Sequence, residues 1–161
     1  MLRMSKLADY GTVVMTYMAQ QPGRVCSAPE IATAVGLELT TVSKLLKRLV
    51  RAQMLLSQRG IKGGYMLAQE PSAISVADII DSIEGYPMGL TECSSIPGLC
   101  TREATCHVRT SWQRISQAIH LSLQKVTLAE LAELTLPPAQ VVEMKGVRHT
   151  AGATREASVE G

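Results

Sequence analysis

The stretch IATAVGLELTTVSKLLKRL, residues 31–49, constrains the fold more than any other part of the chain. Two apolar-periodic segments flank a short turn that carries Gly36. Ile31, Ala32 and Val35 give the first segment a buried face, and Val42, Leu45, Leu46 and Leu49 give one to the second. A glycine in the turn lets two helices cross at a steep angle over a shared core, which is the pattern of a helix-turn-helix. Upstream, Leu7, Gly11, Val14, Met15 and Met18 recur at helical spacing over Ser5 to Gln20, and Pro22 and Gly23 stop that helix. Ser27 and Glu30 form a capping box for the second helix, and Thr40 or Thr41 is expected to start the third.

Downstream, MLLSQRGIKGGYMLAQ places two short apolar runs around a glycine-rich tip, which reads as a β-hairpin. Ser75 and Asp78 make another capping box, and Val76, Ile79, Ile80 and Ile83 make the stripe of a fourth helix that ends at Gly85. A hairpin directly after a helix-turn-helix makes a winged helix. The fold class expected is therefore mainly α: a winged helix-turn-helix with a small β-hairpin wing plus a long C-terminal dimerisation helix. With one Trp, four Tyr and no Phe, the core has to be built from aliphatic residues, which suits helices.

Beyond the fourth helix, Val108, Trp112, Ile115, Ile119 and Val126 recur at nearly heptad spacing on a helix expected to run about 20 residues. An apolar seam of that length beyond a small domain calls for a second copy of the chain, with packing on its own domain as the rival arrangement. Thr127 and Glu130 cap a last short helix through Leu134, with Pro137 and Pro138 after it. The boundaries expected are 1–86 for the winged helix, 87–107 for a cysteine-rich loop, 108–135 for the dimerisation and capping helices, and 136–161 for a disordered tail.

The net charge is only +2, but its distribution is uneven. From Leu39 to Gln69 there is no acidic residue, while Lys44, Lys47, Arg48, Arg51, Arg59 and Lys62 all fall there. On a winged helix such a patch is expected to meet the phosphates of double-stranded DNA. The start of the second helix of the motif would enter the major groove, with Thr40, Thr41, Ser43 and Lys44 at base edges or phosphates. Lys47, Arg48 and Arg51 lie further along it, at phosphates. Arg59 and Lys62 sit at the wing tip, where the negative potential of the minor groove favours Arg. The same residues would form a merely solvated face in a protein-interaction module that does not bind DNA.

Three of the four cysteines, Cys93, Cys100 and Cys106, fall within 14 residues of one loop that also carries Pro97 and Gly98. No segment approaches the ~18 apolar residues of a membrane span, and Lys6 and Asp9 interrupt any leader-like apolar run. A cytoplasmic location is expected, where thiols stay reduced. The loop thiols then read as metal ligands or redox groups, for iron–sulfur or zinc. Cys26 stands alone and reads as a small semi-buried residue. No G-x-S-x-G, no phosphate loop and no companions for His107, His120 or His149 point to an enzyme or a small-molecule substrate.

LADYG near the start, the helix-turn-helix, RGIKGGYML in the wing, ISVADIIDSIEG and the three spaced cysteines occur here in that order. The combination resembles the IscR and NsrR type of winged-helix iron–sulfur regulators over about residues 1–135. The opening and wing also resemble the branch that regulates the Suf iron–sulfur assembly operon. The resemblance implies a homodimer, a cluster held by the cysteine loop, and DNA binding that changes with cluster occupancy. IscR-like proteins place a histidine three residues after the last cysteine, where this chain has Arg109, which cannot act as a ligand. NsrR-like proteins use an acidic residue early in the first helix, which matches Asp9. Asp9 and His107 are thus equal candidates for the fourth ligand, with Glu92 and Glu103 behind. Three cysteines and one variable ligand admit [2Fe–2S] and [4Fe–4S], and the former is favoured. A zinc-stabilised transcription factor, with Cys93, Cys100, Cys106 and His107 as a Cys₃His set, is the nearest alternative.

Overall fold

The computed structural model describes residues 4–133. Helix α1 (Lys6–Ala19) starts at Ser5, whose hydroxyl accepts from the Ala8 amide. Ala8, Gly11, Val14, Met15 and Met18 form its buried stripe. Helix α2 (Ala28–Val35) opens on the Ser27–Glu30 capping box and closes on Gly36, held at φ 66°, a left-handed conformation that glycine adopts freely. Helix α3 (Leu39–Arg51) follows. It begins slightly before Thr40 and Thr41, because Glu38 takes the N-cap position without any side-chain hydrogen bond. Its stripe of Val42, Leu45, Leu46 and Leu49 is fully buried.

The wing is a two-stranded antiparallel sheet, β1 (Leu55–Gln58) with β2 (Gly64–Leu67), registered from Leu55↔Leu67 to Gln58↔Gly64. Its base is stitched to the segment before α2 by the bridge between Cys26 and Tyr65, with amide–carbonyl bonds of 2.9 and 2.8 Å. Gly64 permits this approach, since a Cβ there would collide with the Cys26 carbonyl. Helix α4 (Val76–Glu84) carries the Ser75–Asp78 capping box and ends on Gly85 at φ 86°. It packs along α1, where Gly11 lies so close that a Cβ would stand 2.8 Å from Ile83 Cγ1.

After α4 come the short helix α5 (Glu92–Ser95), a 3-10 turn over Glu103–Thr105, helix α6 (Arg109–Gln124) and helix α7 (Leu128–Glu133). The segment read from sequence as a cysteine-rich loop contains α5 and the 3-10 turn. The sequence predicts a longer α6 than the 16 residues observed. The chain turns back at Lys125 because Thr127 pairs with Ser75 in an isolated bridge. Val76 donates to the Val126 carbonyl at 2.9 Å, and Leu128 donates to the Ile74 carbonyl at 2.8 Å. Thr127 and Glu130 cap α7 reciprocally, and Leu128 is sealed in the core. Leu134, Pro137, Pro138 and the tail lie outside the described residues.

The apolar stripe of α6 is not one continuous seam. Val108, Trp112 and Ile115 are 53, 40 and 45 % exposed, whereas Ile119 is half-buried and Val126 packs against the core of its own domain. Ser116 is the buried residue of that helix.

Candidate nucleic-acid interface and cysteine loop

The buried stripe of α3 fixes which of its polar residues face outward. Thr40, Lys44, Lys47 and Arg51 are exposed, and Thr41 and Ser43 are half-covered. Arg48 is different. It is half-covered, and its Nη1 donates to the Ile83 carbonyl near the end of α4. The sequence groups Arg48 with the phosphate-facing residues, and this contact engages one nitrogen of its guanidinium. The structure gives it a partner inside the chain, because it lies on the edge of the helix nearest α4. On the wing, Arg59 and Lys62 are both exposed, so the acid-free stretch forms a cationic surface over α3 and the hairpin. Three exposed apolar residues lie on α3 and the hairpin that the charge pattern does not reveal: Leu39, at the start of α3, Leu56, in β1, and Ile61, at the wing tip. Only their failure to join a buried stripe could have singled them out.

The cysteine loop is pinned at both ends to α6. At its start, Ser116 Oγ accepts from the Leu90 amide at 3.0 Å and donates to Ser94 Oγ at 3.0 Å. Gln113 Nε2 donates to the Cys93 carbonyl at 3.3 Å. Cys93 itself is buried, its Sγ 3.3 Å from Thr91 Oγ1. At its end, Glu103 accepts from the Gly98 amide at 2.6 Å and pairs with Arg109 Nη2 at 2.6 Å. Glu103 is thereby engaged in organising the loop, as is Arg109. Cys100 and Cys106 are half-buried, and His107 and Glu92 are exposed. Asp9 is exposed in the first turn of α1, where its charge favours the helix N-terminus.

All four cysteines are free thiols. Among the described residues, no three His, Cys, Asp or Glu side chains are gathered as a metal-holding group. The donor set suits an iron–sulfur cluster in kind, three thiols in one loop. Cys26 takes no part. It is fully buried under the wing base, and burial, with help from Glu30, pushes its thiol pKa up.

A helix-turn-helix with a cationic second helix and a basic wing defines a winged-helix transcriptional regulator. The chain belongs to the Rrf2 family, whose model, described as an iron-dependent transcriptional regulator, matches residues 4–134. These are regulators and not enzymes, and the resemblance to IscR-type proteins holds. Among solved structures, the chain is similar to CymR (YrzC), the global cysteine regulator of B. subtilis, at 32 % identity and a TM-score of 0.66, covering 84 % of this chain and 99 % of that one. It is similar to T. potens IscR at 28 % identity and a TM-score of 0.63, covering 82 % of this chain and 87 % of that one. Staphylococcus aureus CymR matches at 29 % identity and a TM-score of 0.62, covering 83 % of this chain and all 100 % of its own. Among the described residues no helix is long and apolar enough to cross a membrane.

Proposed function

We propose that this regulator binds double-stranded DNA as a homodimer and senses iron–sulfur status through its cysteine loop, controlling iron–sulfur assembly genes in the cytoplasm. The observation that supports the sensing role is the double anchoring of a three-thiol loop on α6, the helix that also exposes Trp112 and Ile115. Cys93, Cys100 and Cys106 would hold the cluster, [2Fe–2S] in preference to [4Fe–4S], with Asp9 or His107 as the fourth ligand. Asp9, as a ligand, could come from the second subunit, which would tie the cluster to the setting of the two DNA readers. Bound there, the cluster supplies a centre that oxidant, nitric oxide or iron shortage degrades.

The protein's own part is conformational. The loop sets how α6 sits on α4, and α4 receives Arg48 from the recognition helix. Two arrangements that differ in loop order would differ in DNA affinity by a coupling of about 1–3 kcal/mol. In the dimer, α3 of each subunit would enter one half-site, with Thr40, Thr41, Ser43 and Lys44 near bases and Lys47, Arg51, Arg59 and Lys62 near phosphates. The experiment is anaerobic purification with iron and sulfide reconstitution. Wild-type protein is expected to be coloured and iron-loaded, and Cys100→Ala colourless and unresponsive in DNA binding. Colourless wild-type protein after reconstitution refutes the reading.

A second reading is favoured by one observation, the absence of a gathered ligand set among the described residues. In it the loop thiols act without metal, by oxidation. The same preparation separates the two: a metal-free switch yields colourless protein whose DNA affinity still changes with thiol oxidation.

A further inference from the structure

Ile61 has no role in the fold. It is 108 % exposed, as open as in an isolated peptide. Yet its position is fixed. The strand ladder ends at Gln58↔Gly64, and the tip closes through a bond of 2.9 Å from the Gly63 amide to the Gly60 carbonyl. Gly60 sits at φ 117°, and a Cβ at Gly63 would run into the Gln58 carbonyl, so the turn tolerates little change at either glycine. Ile61 and Lys62 are the two central residues of this turn, and their side chains project from it. A β-branched side chain has few rotamers, so ordering it against a surface costs little entropy.

We propose that Ile61 is a specificity-determining residue that wedges into the minor groove at a deformable pyrimidine–purine step, while Arg59 and Lys62 engage the phosphates that border it. Charge complementarity selects this occupant. Arg59 and Lys62 flank the isoleucine, and the stretch from 39 to 69 carries six cations and no acid. A minor groove presents apolar sugar edges between two rows of phosphate, about 6 Å apart, and apolar wedges there unstack flexible steps. The inference rests on the DNA-reading role proposed above and extends it to a base-step preference that the cations alone do not supply.

The test is selection from a random-core duplex pool by the full chain, with wild type, Ile61→Leu and Ile61→Ser side by side. All three are expected to enrich the same bases under α3. Wild type and Ile61→Leu should also enrich a pyrimidine–purine step in the flank reached by the wing, and Ile61→Ser should not. Ile61→Ser should bind the wild-type-selected duplex roughly tenfold more weakly. Its salt dependence should be unchanged, whereas Arg59→Ala lowers the slope. Thermal unfolding of Ile61→Ser should match wild type, since the side chain touches nothing. If Ile61→Ser selects the same flank and binds within about twofold of wild type, the wedge is overturned and the DNA reader stands. If wild type enriches no sequence, the reader and the wedge fall together.

Discussion

His120 Nε2 lies 2.8 Å from Asp81 Oδ2, and this half-buried pair joins α6 to α4. The other carboxylate oxygen of Asp81 accepts from the Met88 amide at 2.8 Å. One aspartate thus holds both the long helix and the first turn of the segment that leads to Cys93. Replacing Asp81 by Ala leaves an amide and a ring nitrogen without their partner and is expected to cost about 1–3 kcal/mol in urea unfolding. His120→Gln keeps the Met88 contact and should cost less. Equal losses in the two variants would show that the Met88 contact carries no stability.

The recognition helix should respond unevenly to loss of its cations. Lys44→Ala and Lys47→Ala are expected to weaken DNA binding at all sequences and to lower the salt slope by about 0.9 for each phosphate contact removed. Arg48→Ala should instead act on the fold, by about 1–2 kcal/mol, because its guanidinium serves the Ile83 carbonyl. Fluorescence anisotropy across a salt series, set beside thermal melts, separates the two behaviours.

The wing base should be intolerant of a methyl group. In Gly64→Ala the new Cβ displaces the Cys26 carbonyl and with it the strand-like pairing to Tyr65. A cost of about 1–3 kcal/mol is expected. Hydrogen exchange should rise first at the Cys26 and Tyr65 amides.

The four thiols should divide by accessibility. In reduced, metal-free protein Cys100 and Cys106 are expected to react first with an alkylating agent, Cys93 slowly, and Cys26 only on unfolding. Burial raises the Cys26 pKa above its ordinary value of 9.0. The unfolded thiol therefore ionises from about pH 9 while the folded one stays neutral. The sign follows: Cys26 adds no pH dependence below that point, and stability falls as pH rises through and beyond it. Comparing wild type with Cys26→Ser in melts from neutral to alkaline pH, read against mass-spectrometric labelling, checks both statements.

Association of two chains should depend on the outer face of α6. Ile115→Glu, with or without Trp112→Ala, is expected to shift sedimentation towards monomer without lowering the melting temperature of the domain. Both side chains are largely exposed in the single chain. An unchanged sedimentation coefficient would place the dimer contact elsewhere.

Much of this architecture was legible because it is local. The Ser27–Glu30, Ser75–Asp78 and Thr127–Glu130 boxes, the left-handed Gly36 and Gly85, and the glycine-rich hairpin are written within a few residues of where they act. The α3 stripe could be counted by periodicity alone. What escaped depends on partners far along the chain. Arg48 looked like one more cation of a basic run until α4 was placed beside it, and the return of Thr127 to Ser75 joins residues 52 positions apart. The heptad-like pattern of α6 merged two surfaces, because Trp112 and Ile115 face away from the domain while Val126 faces it. In the cysteine loop the residue types were plain, but their anchoring by Ser116, Gln113 and Arg109 comes from polar side chains of a helix whose polarity had no signature.

The Ser75–Thr127 bridge also has a mechanical meaning. It clamps the C-terminal end of α6 to the start of α4, whereas the N-terminal end is tethered only through the loop. With the His120–Asp81 pair also holding α6 to α4, the free arm of the helix is the part before His120. From His120 to Arg109 that arm is about 16 Å, so a swing of about 5° carries the tip at Arg109 through about 1.4 Å. In the function proposed above, a contraction of the cysteine loop at that tip would be converted into a pivot of the helix's free arm.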